Sequence, residues 1–265
     1  MTVSRELRQE LIGAYGIAPE RITVINNFFH IDQMLAKAHE PIEPQYEQLF
    51  SQPNVLVTSG RLTVQKNQLP LLDVFAALRQ RQPDSKLVFL GDGERRAALL
   101  ERTQELGLRA YQAWNNDPLD QEYDVYYLGF QKNPFRYLRR ATLFVFPSDW
   151  EGFPLALCEA MVCGVPVVTT DCPTGPREIL APTTPPTHVA TTTEWADYGV
   201  LMPLLSADFQ QSALAEWANT LYLLLQDPAR RTYYARQGQL RVQDFTPAKM
   251  MQKWLHIIED VFARK

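Results

Sequence analysis

From residue 54 onward the chain alternates short runs rich in β-branched and aromatic residues with segments of helical spacing, a rhythm that leaves few folds open. The runs are NVLVTSG (54–60), KLVFLGDG (86–93), DVYYLGF (124–130), TLFVFPS (142–148) and VPVVTTD (165–171). Each is followed by a segment that can be helical: QLPLLDVFAALRQRQ, ERRAALLERTQELG, PFRYLRRA, PLALCEAMVCG and GPREIL. Strands that are apolar almost throughout belong to a sheet covered on both faces, and intervening helices make neighbouring strands parallel. The predicted fold class is therefore α/β, a doubly wound parallel sheet. Ligands of such sheets gather outside the carboxyl ends of the strands, at the switch point of the strand order. The five loops that follow the strands are where chemistry is expected.

Two flanks lie outside the rhythm. Residues 1–40 hold a helix pattern (SRELRQELIGAYG), a short β run (RITVINN) and a polar helix start, and the Pro- and Glu-bearing AHEPIEPQYEQ reads as a linker to a domain over 41–265. At the other end WANTLYLLLQD, PARRTYYARQGQLRVQDF and PAKMMQKWLHIIEDVFARK show apolar spacing near 3.6 and predict terminal helices. Between sheet and helices runs LAPTTPPTHVATTTEWADYG, predicted to be a long loop.

A formal net charge of -4 argues against a nucleic-acid partner. No apolar window is long enough for a membrane span, and the first residues lack the apolar core of a leader, so the expected location is cytoplasmic. Cys158, Cys163 and Cys172 lack paired CxxC spacing and read as reduced, buried thiols, with a catalytic thiol as the lesser alternative.

Each loop offers candidates. SGRLTVQKNQ places Gly60, Arg61 and Lys66 where a strand gives way to a helix: glycine permits close approach and the two cations can neutralise a diphosphate. A solvated loop with surface cations is the plainer reading of that loop alone. In FLGDGERR, Gly91 and Gly93 bracket Asp92, but Arg96 stands where a dinucleotide fingerprint needs its third glycine, which disfavours a nicotinamide cofactor. LGFQKNPFRYLRRA carries Gly129, Phe130 and Pro134 in a turn, with Lys132, Arg136, Arg139 and Arg140 on what is either a solvated face or a contact for anionic lipid headgroups.

The fourth loop, SDWEGFPLALCEAMVCG, places Glu151 and Glu159 eight positions apart. With a helix starting at Pro154, they span at most ~12 Å, and free backbone N–H groups near Phe153, Leu155 and Ala156 lie between them. An anion seat flanked by two hydroxyl acceptors suits a diphosphate between two sugar rings. Helix capping by Glu151 with Glu159 on an exposed face is the structural alternative. A glycosidase couple, which holds its carboxylates roughly 5 to 9.5 Å apart across one bond, fits less well.

Taken together, GRL-x3-KN, FLGDGE, LGF-x3-P, FVFPS-x2-EGFP-x4-EAM-x-CG-x-PVV-x-TDC and GPREIL resemble, in order and spacing, the carboxyl-terminal nucleotide-sugar-binding domain of the retaining glycosyltransferases of family 4. The resemblance extends over about residues 20–260, with INN-FFHID departing from the family's interdomain segment at Phe28 and Phe29. It implies one Rossmann-like half of a GT-B fold, with residues 1–40 a remnant of the other half plus linker. It implies that Arg61 and Lys66 bind the donor diphosphate and stabilise the leaving nucleotide, that Glu159 takes the ribose hydroxyls, and that Glu151 holds the transferred sugar. Arg61, Lys66 and Glu151 are thus the candidate catalytic residues. Gly60, Gly91, Gly152, Phe153, Pro154 and Leu155 complete the donor site, and the base lies near Gly129, Phe130 and Pro134.

The resemblance further implies a metal-independent, cofactor-free transfer of a hexose or N-acetylhexosamine from a UDP- or GDP-linked donor to a glycan or lipid-linked acceptor. The acceptor site belongs to a second domain of about 150 or more residues, so this chain is expected to be incomplete alone, with a second polypeptide as one source of the other half. A peripheral contact at the inner face of the membrane follows from a lipid-linked acceptor. A non-catalytic sugar-nucleotide-binding or regulatory subunit of a two-chain transferase is the alternative.

Overall fold

The computed structural model of the chain describes residues 1–115, 118–119, 121–205 and 210–263. Its strands are β1 (Val55–Ser59), β2 (Lys86–Leu90), β3 (Ala110–Gln112), β4 (Val125–Tyr127), β5 (Leu143–Phe146), β6 (Val167–Thr170), β7 (Glu194–Trp195) and β8 (Val200–Met202). They form one sheet in the order β3-β4-β2-β1-β5-β6-β8-β7. Every pairing is parallel except that of β7 with β8. All five predicted strands are present, and the sheet is the expected α/β, parallel-dominated one. β3, β7 and β8 escape the sequence because two or three residues show no period.

Alternation along the strands builds two cores. Leu56, Leu87, Phe89, Val125, Tyr127, Leu143, Val145 and Val168 face one side, where they meet α4 (Gln68–Arg79), α5 (Arg96–Glu105) and α9 (Gln210–Gln226). Val55, Val57, Val88, Leu90, Tyr126, Phe144, Phe146 and Val167 face the other, against α2 (Ile31–Ala38), α3 (Pro44–Phe50), α6 (Phe135–Leu138) and α7 (Leu155–Val162). Both faces being covered, no strand residue needs to be polar, which explains the continuous apolar runs.

Two expectations fail at the amino-terminal flank. RITVINN forms no strand: Val24 pairs only with Thr2, in an isolated bridge, because a single partner residue cannot propagate a ladder. AHEPIEPQYEQ is not a free linker either, since α3 begins within it with proline in its first turn, and Ile42, Tyr46, Leu49 and Phe50 are buried. Their apolar spacing is helical, but intervening Glu, Gln and Pro residues mask it. Ahead of them α1 (Arg5–Tyr15) starts at Ser4, whose hydroxyl accepts from the Leu7 amide, and ends at left-handed Gly16. Three further helices, α8 (Pro176–Leu180), α10 (Pro228–Val242) and α11 (Pro247–Ala263), complete the α-helices among the described residues.

The Thr- and Pro-rich segment after α8 is pinned rather than loose. Arg177, 2% exposed, pairs with Asp171 at 2.5 Å and Glu194 at 2.7 Å and donates to Thr184 Oγ1 at 2.9 Å. Asp171 also accepts from the Ala190 amide at 2.6 Å, which ties the segment back to the end of β6. Removing one partner of a buried network leaves the others desolvated and uncompensated. Arg177→Met is expected to lower unfolding free energy by about 3–5 kcal/mol in urea denaturation; a loss under about 1 kcal/mol would mean that the network carries little stability.

Candidate functional site

The strand order reverses between β1 and β5: the chain moves from β1 to β2 on one side and returns through β5 on the other. The loops after these two strands therefore face each other at the switch point. Three consecutive residues of the first loop grip three consecutive residues of the second. Gln65 Nε2 donates to the Trp150 carbonyl at 2.8 Å, Lys66 Nζ meets Glu151 Oε1 at 2.5 Å, and Asn67 Nδ2 donates to Asp149 Oδ1 at 2.7 Å. Asn67 adopts a left-handed conformation (φ 46°) as the chain turns into α4, which suits asparagine.

Lys66 and Glu151 are both largely withdrawn from solvent, with side chains 17% and 7% exposed. The ammonium also lies 4.8 Å from the centre of the Phe146 ring. One of its three donors is used by Glu151. The family resemblance assigns Lys66 to the donor diphosphate and Glu151 to the transferred sugar; in the structure the two side chains pair with each other.

On the β2 side, backbone is packed on backbone. Gly91 N donates to the Gly129 carbonyl at 2.8 Å, and Gly60 N to the Leu90 carbonyl at 3.0 Å. A Cβ on Gly91 would stand 1.9 Å from the Gly60 oxygen, so only glycine fits. Gly60 in turn sits beside the Lys66 side chain. Gly129, Gly91, Gly60, Lys66 and Glu151 thus form one contiguous edge along the carboxyl ends of β4, β2, β1 and β5. Arg61 is exposed, with no side-chain partner among the described residues, and Phe130 is 80% exposed at the β4 end. Arg96, which breaks the dinucleotide fingerprint, pairs with Asp92 and lies over Trp114.

Helix α7 begins after Pro154 with no side chain capping its amides. Leu157, Cys158, Ala160, Met161 and Val162 are buried, leaving Leu155, Ala156 and Glu159 on the outward face. Glu159 is half-buried, burial raises its carboxyl above the ordinary range, and its side chain has no hydrogen bond or ion pair among the described residues. A carboxylate so placed is ready to accept hydroxyls. Pro134 heads α6, whose Arg136 is engaged by Glu43 and the Pro41 carbonyl; of the four basic residues there, Lys132 and Arg139 are exposed.

Gln65, Asn67 and the Pro173–Gly175 loop escape the sequence reading. Thr174 donates from its amide and hydroxyl to the Glu151 carbonyl, at 3.1 and 2.5 Å, and Glu151 N donates to the Pro173 carbonyl at 2.7 Å. Asn67 stands in the GRL-x3-KN motif but is given no role by the resemblance, and Gln65 has only its adjacency to Lys66; their partners lie more than 80 positions away. The catalytic-thiol alternative meets three buried cysteines, with burial pushing Cys163 and Cys172 up to about 12 and Cys158 higher still. Among the described residues no cluster of three His, Cys, Asp or Glu side chains could hold a metal ion.

Known proteins share this fold. Solved glycosyltransferase structures of the GT-B type superpose on it: Anabaena Alr3699/HepE in complex with UDP matches with a TM-score of 0.75 over 98% of this chain and 63% of that one, at 21% identity. A sequence profile described as Glycosyl transferases group 1 matches residues 40–199, and the chain belongs to that family. An uncharacterized glycosyltransferase of Methanocaldococcus jannaschii is 35% identical over 245 residues, covering 89% of this chain and 57% of the relative. The N-acetylgalactosamine-N,N'-diacetylbacillosaminyl-diphospho-undecaprenol 4-alpha-N-acetylgalactosaminyltransferase of Campylobacter jejuni is 30% identical over 171 residues, 64% of this chain and 40% of that protein. The chain thus spans about half the length of these two relatives.

The glycine edge makes a direct stability claim. Gly91→Ala is expected to lower unfolding free energy by about 3 kcal/mol, because φ is 147° and backbone blocks the added carbon; a change within about 0.5 kcal/mol would show that the two strand ends separate freely.

Proposed function

We propose that this chain is the donor-binding half of a family 4, retaining glycosyltransferase, moving a hexose or N-acetylhexosamine from a UDP- or GDP-linked donor to a glycan or lipid-linked acceptor. The observation that carries this reading is the contiguous edge from Gly129 to Glu151, with Glu159 half-buried and unpartnered on the outward face of α7. The base sits over Gly129, Phe130 and Pro134. The diphosphate lies against Gly60, Gly91 and the uncapped amides at the start of α7, near Leu155, with Arg61 and Lys66 neutralising it. Glu159 grips the ribose, and Glu151 with Gly152, Phe153 and Pro154 frames the sugar.

Binding of the diphosphate shares Lys66 between Glu151 and phosphate, so the leaving nucleotide and the sugar are held through one cation. As the sugar–phosphate bond breaks, charge develops on the phosphate oxygen that Arg61 and Lys66 face, and their fixed positive charge favours that state. No metal or cofactor enters this scheme. The UDP in the Anabaena structure supports a uridine donor, and the name of the Campylobacter relative supports a lipid-linked acceptor.

Residues 1–40 belong, in this reading, to the partner half and its connection, and 41–265 to the Rossmann-like donor half. Acceptor recognition lies in a part outside these residues, on the same polypeptide or a second one. Helix α11 carries the surface for it, since Met251, Trp254, Leu255, Ile258 and Phe262 are exposed along one stripe. No helix among the described residues is long and apolar enough to cross a membrane; we place the reaction in the cytoplasm, with Lys132 and Arg139 facing the headgroups of the inner membrane surface.

Calorimetric titration of the chain tests the reading. UDP or GDP should bind, and Glu159→Ala should weaken that binding by about 1–3 kcal/mol through loss of charged hydrogen bonds. Arg61→Ala and Lys66→Ala should harm UDP more than uridine, since only the diphosphate needs cations. Equal losses for both ligands, or no nucleotide binding at millimolar concentration, would overturn it.

A further inference from the structure

The sugar end of the candidate site is held from behind by the amino-terminal helix. Asn26 Nδ2 bridges the Val3 carbonyl at 3.0 Å and Glu178 Oε1 at 2.8 Å, and the Arg5 amide donates to Glu178 Oε2 at 2.6 Å. These contacts seat the first turn of α1 on α8. The next residue, Glu6, accepts from Gly175 N through Oε2 at 2.7 Å, while its Oε1 is buried without a hydrogen-bond partner.

Gly175 is the hinge of this contact. Its φ is 102°, and a Cβ there would lie 2.6 Å from Pro154 Cδ and 3.2 Å from Phe153 Cα, so its backbone rests on the entry to α7. One residue earlier, Thr174 donates twice to the Glu151 carbonyl, and Pro173 accepts from the Glu151 amide. A continuous set of hydrogen bonds and close packing thus runs from Glu6 to the main chain on both sides of Glu151.

We infer that Glu6 is a positioning residue for Glu151, acting from α1 through the Pro173–Gly175 loop. Its bearing on sugar binding rests on the role proposed above for Glu151; the mechanical coupling does not. In the proposed division Glu6 belongs to the partner half and Glu151 to the donor half, so the contact joins the two where the sugar sits.

The surroundings make this grip respond to pH. Glu178 and Arg177 face Glu6 from α8, Asp171 and Cys172 from just beyond β6, and Arg5 of its own helix pairs with Glu178. Burial foremost, with the neighbouring carboxylates adding to it against the Gly175 hydrogen bond and Arg177, raises Glu6 from the ordinary 4.5 to about 7. The folded chain therefore binds an extra proton between those two values, and Glu6 costs stability as pH rises through that window. Ionisation at the same time strengthens the bond from Gly175, because a charged acceptor is the stronger one. Grip and global stability change in opposite directions.

Backbone amide NMR of the whole chain tests the coupling without any ligand. The Gly175 amide should titrate with a midpoint near 7, and the amides of Glu151, Gly152 and Thr174 should move with it. Glu6→Gln, which mimics the protonated acid, should abolish that common titration and raise Tm more at about pH 8 than at about pH 5. Amides at 151, 152 and 174 that ignore the Gly175 transition, a titration unchanged in Glu6→Gln, or an equal Tm change at both pH values would overturn the inference. Failure of the wild-type chain to bind UDP would instead remove the sugar-site reading and leave this coupling standing.

Discussion

A parallel sheet whose strand order reverses beside its first strand must leave a crevice there, because the loops after β1 and β5 depart to opposite faces. In this chain the crevice is closed at its floor by the Lys66–Glu151 pair and flanked by Gln65 and Asn67, which hold the neighbouring main chain and side chain of the facing loop. Every other element of the site is placed relative to that junction. The glycines at the ends of β2 and β4 let backbone pack on backbone beside it, and α7 starts from it with no side chain capping its amides.

A buried ion pair contributes little net stability, since desolvation offsets most of the attraction. The role proposed for this one is chemical. In the proposed reading each partner of this largely buried pair turns to the donor when it binds. Glu159 differs: burial raises its carboxyl, and the proposed reading gives it the ribose hydroxyls. Both devices belong to a fold shared with the glycosyl transferases group 1 family.

Much of this was legible in the sequence because the signals are local. Five apolar runs, each closed by a glycine, a proline or polar residues, predicted five strands and their loops, and the spacing from Glu151 to Glu159 placed one carboxylate before a helix and one on it. What stayed hidden depends on distant partners or very short segments. β3, β7 and β8 are too brief to show a period, and α3 is disguised by the prolines and charges of AHEPIEPQYEQ. The Lys66–Glu151 pairing joins residues 85 positions apart, and Glu6 reaches Gly175 across 169, so no motif could announce either.

The central claim is that the edge from Gly129 to Glu159 seats a nucleoside diphosphate in a fixed direction. A crystal structure of the chain with UDP tests it most directly. The account predicts uracil beside Gly129 and Phe130, ribose hydroxyls on Glu159, and diphosphate oxygens within hydrogen-bond reach of Arg61, Lys66 and the first amides of α7. UDP bound away from this edge, or reversed so that its phosphates point from Glu151 toward Phe130, would contradict it.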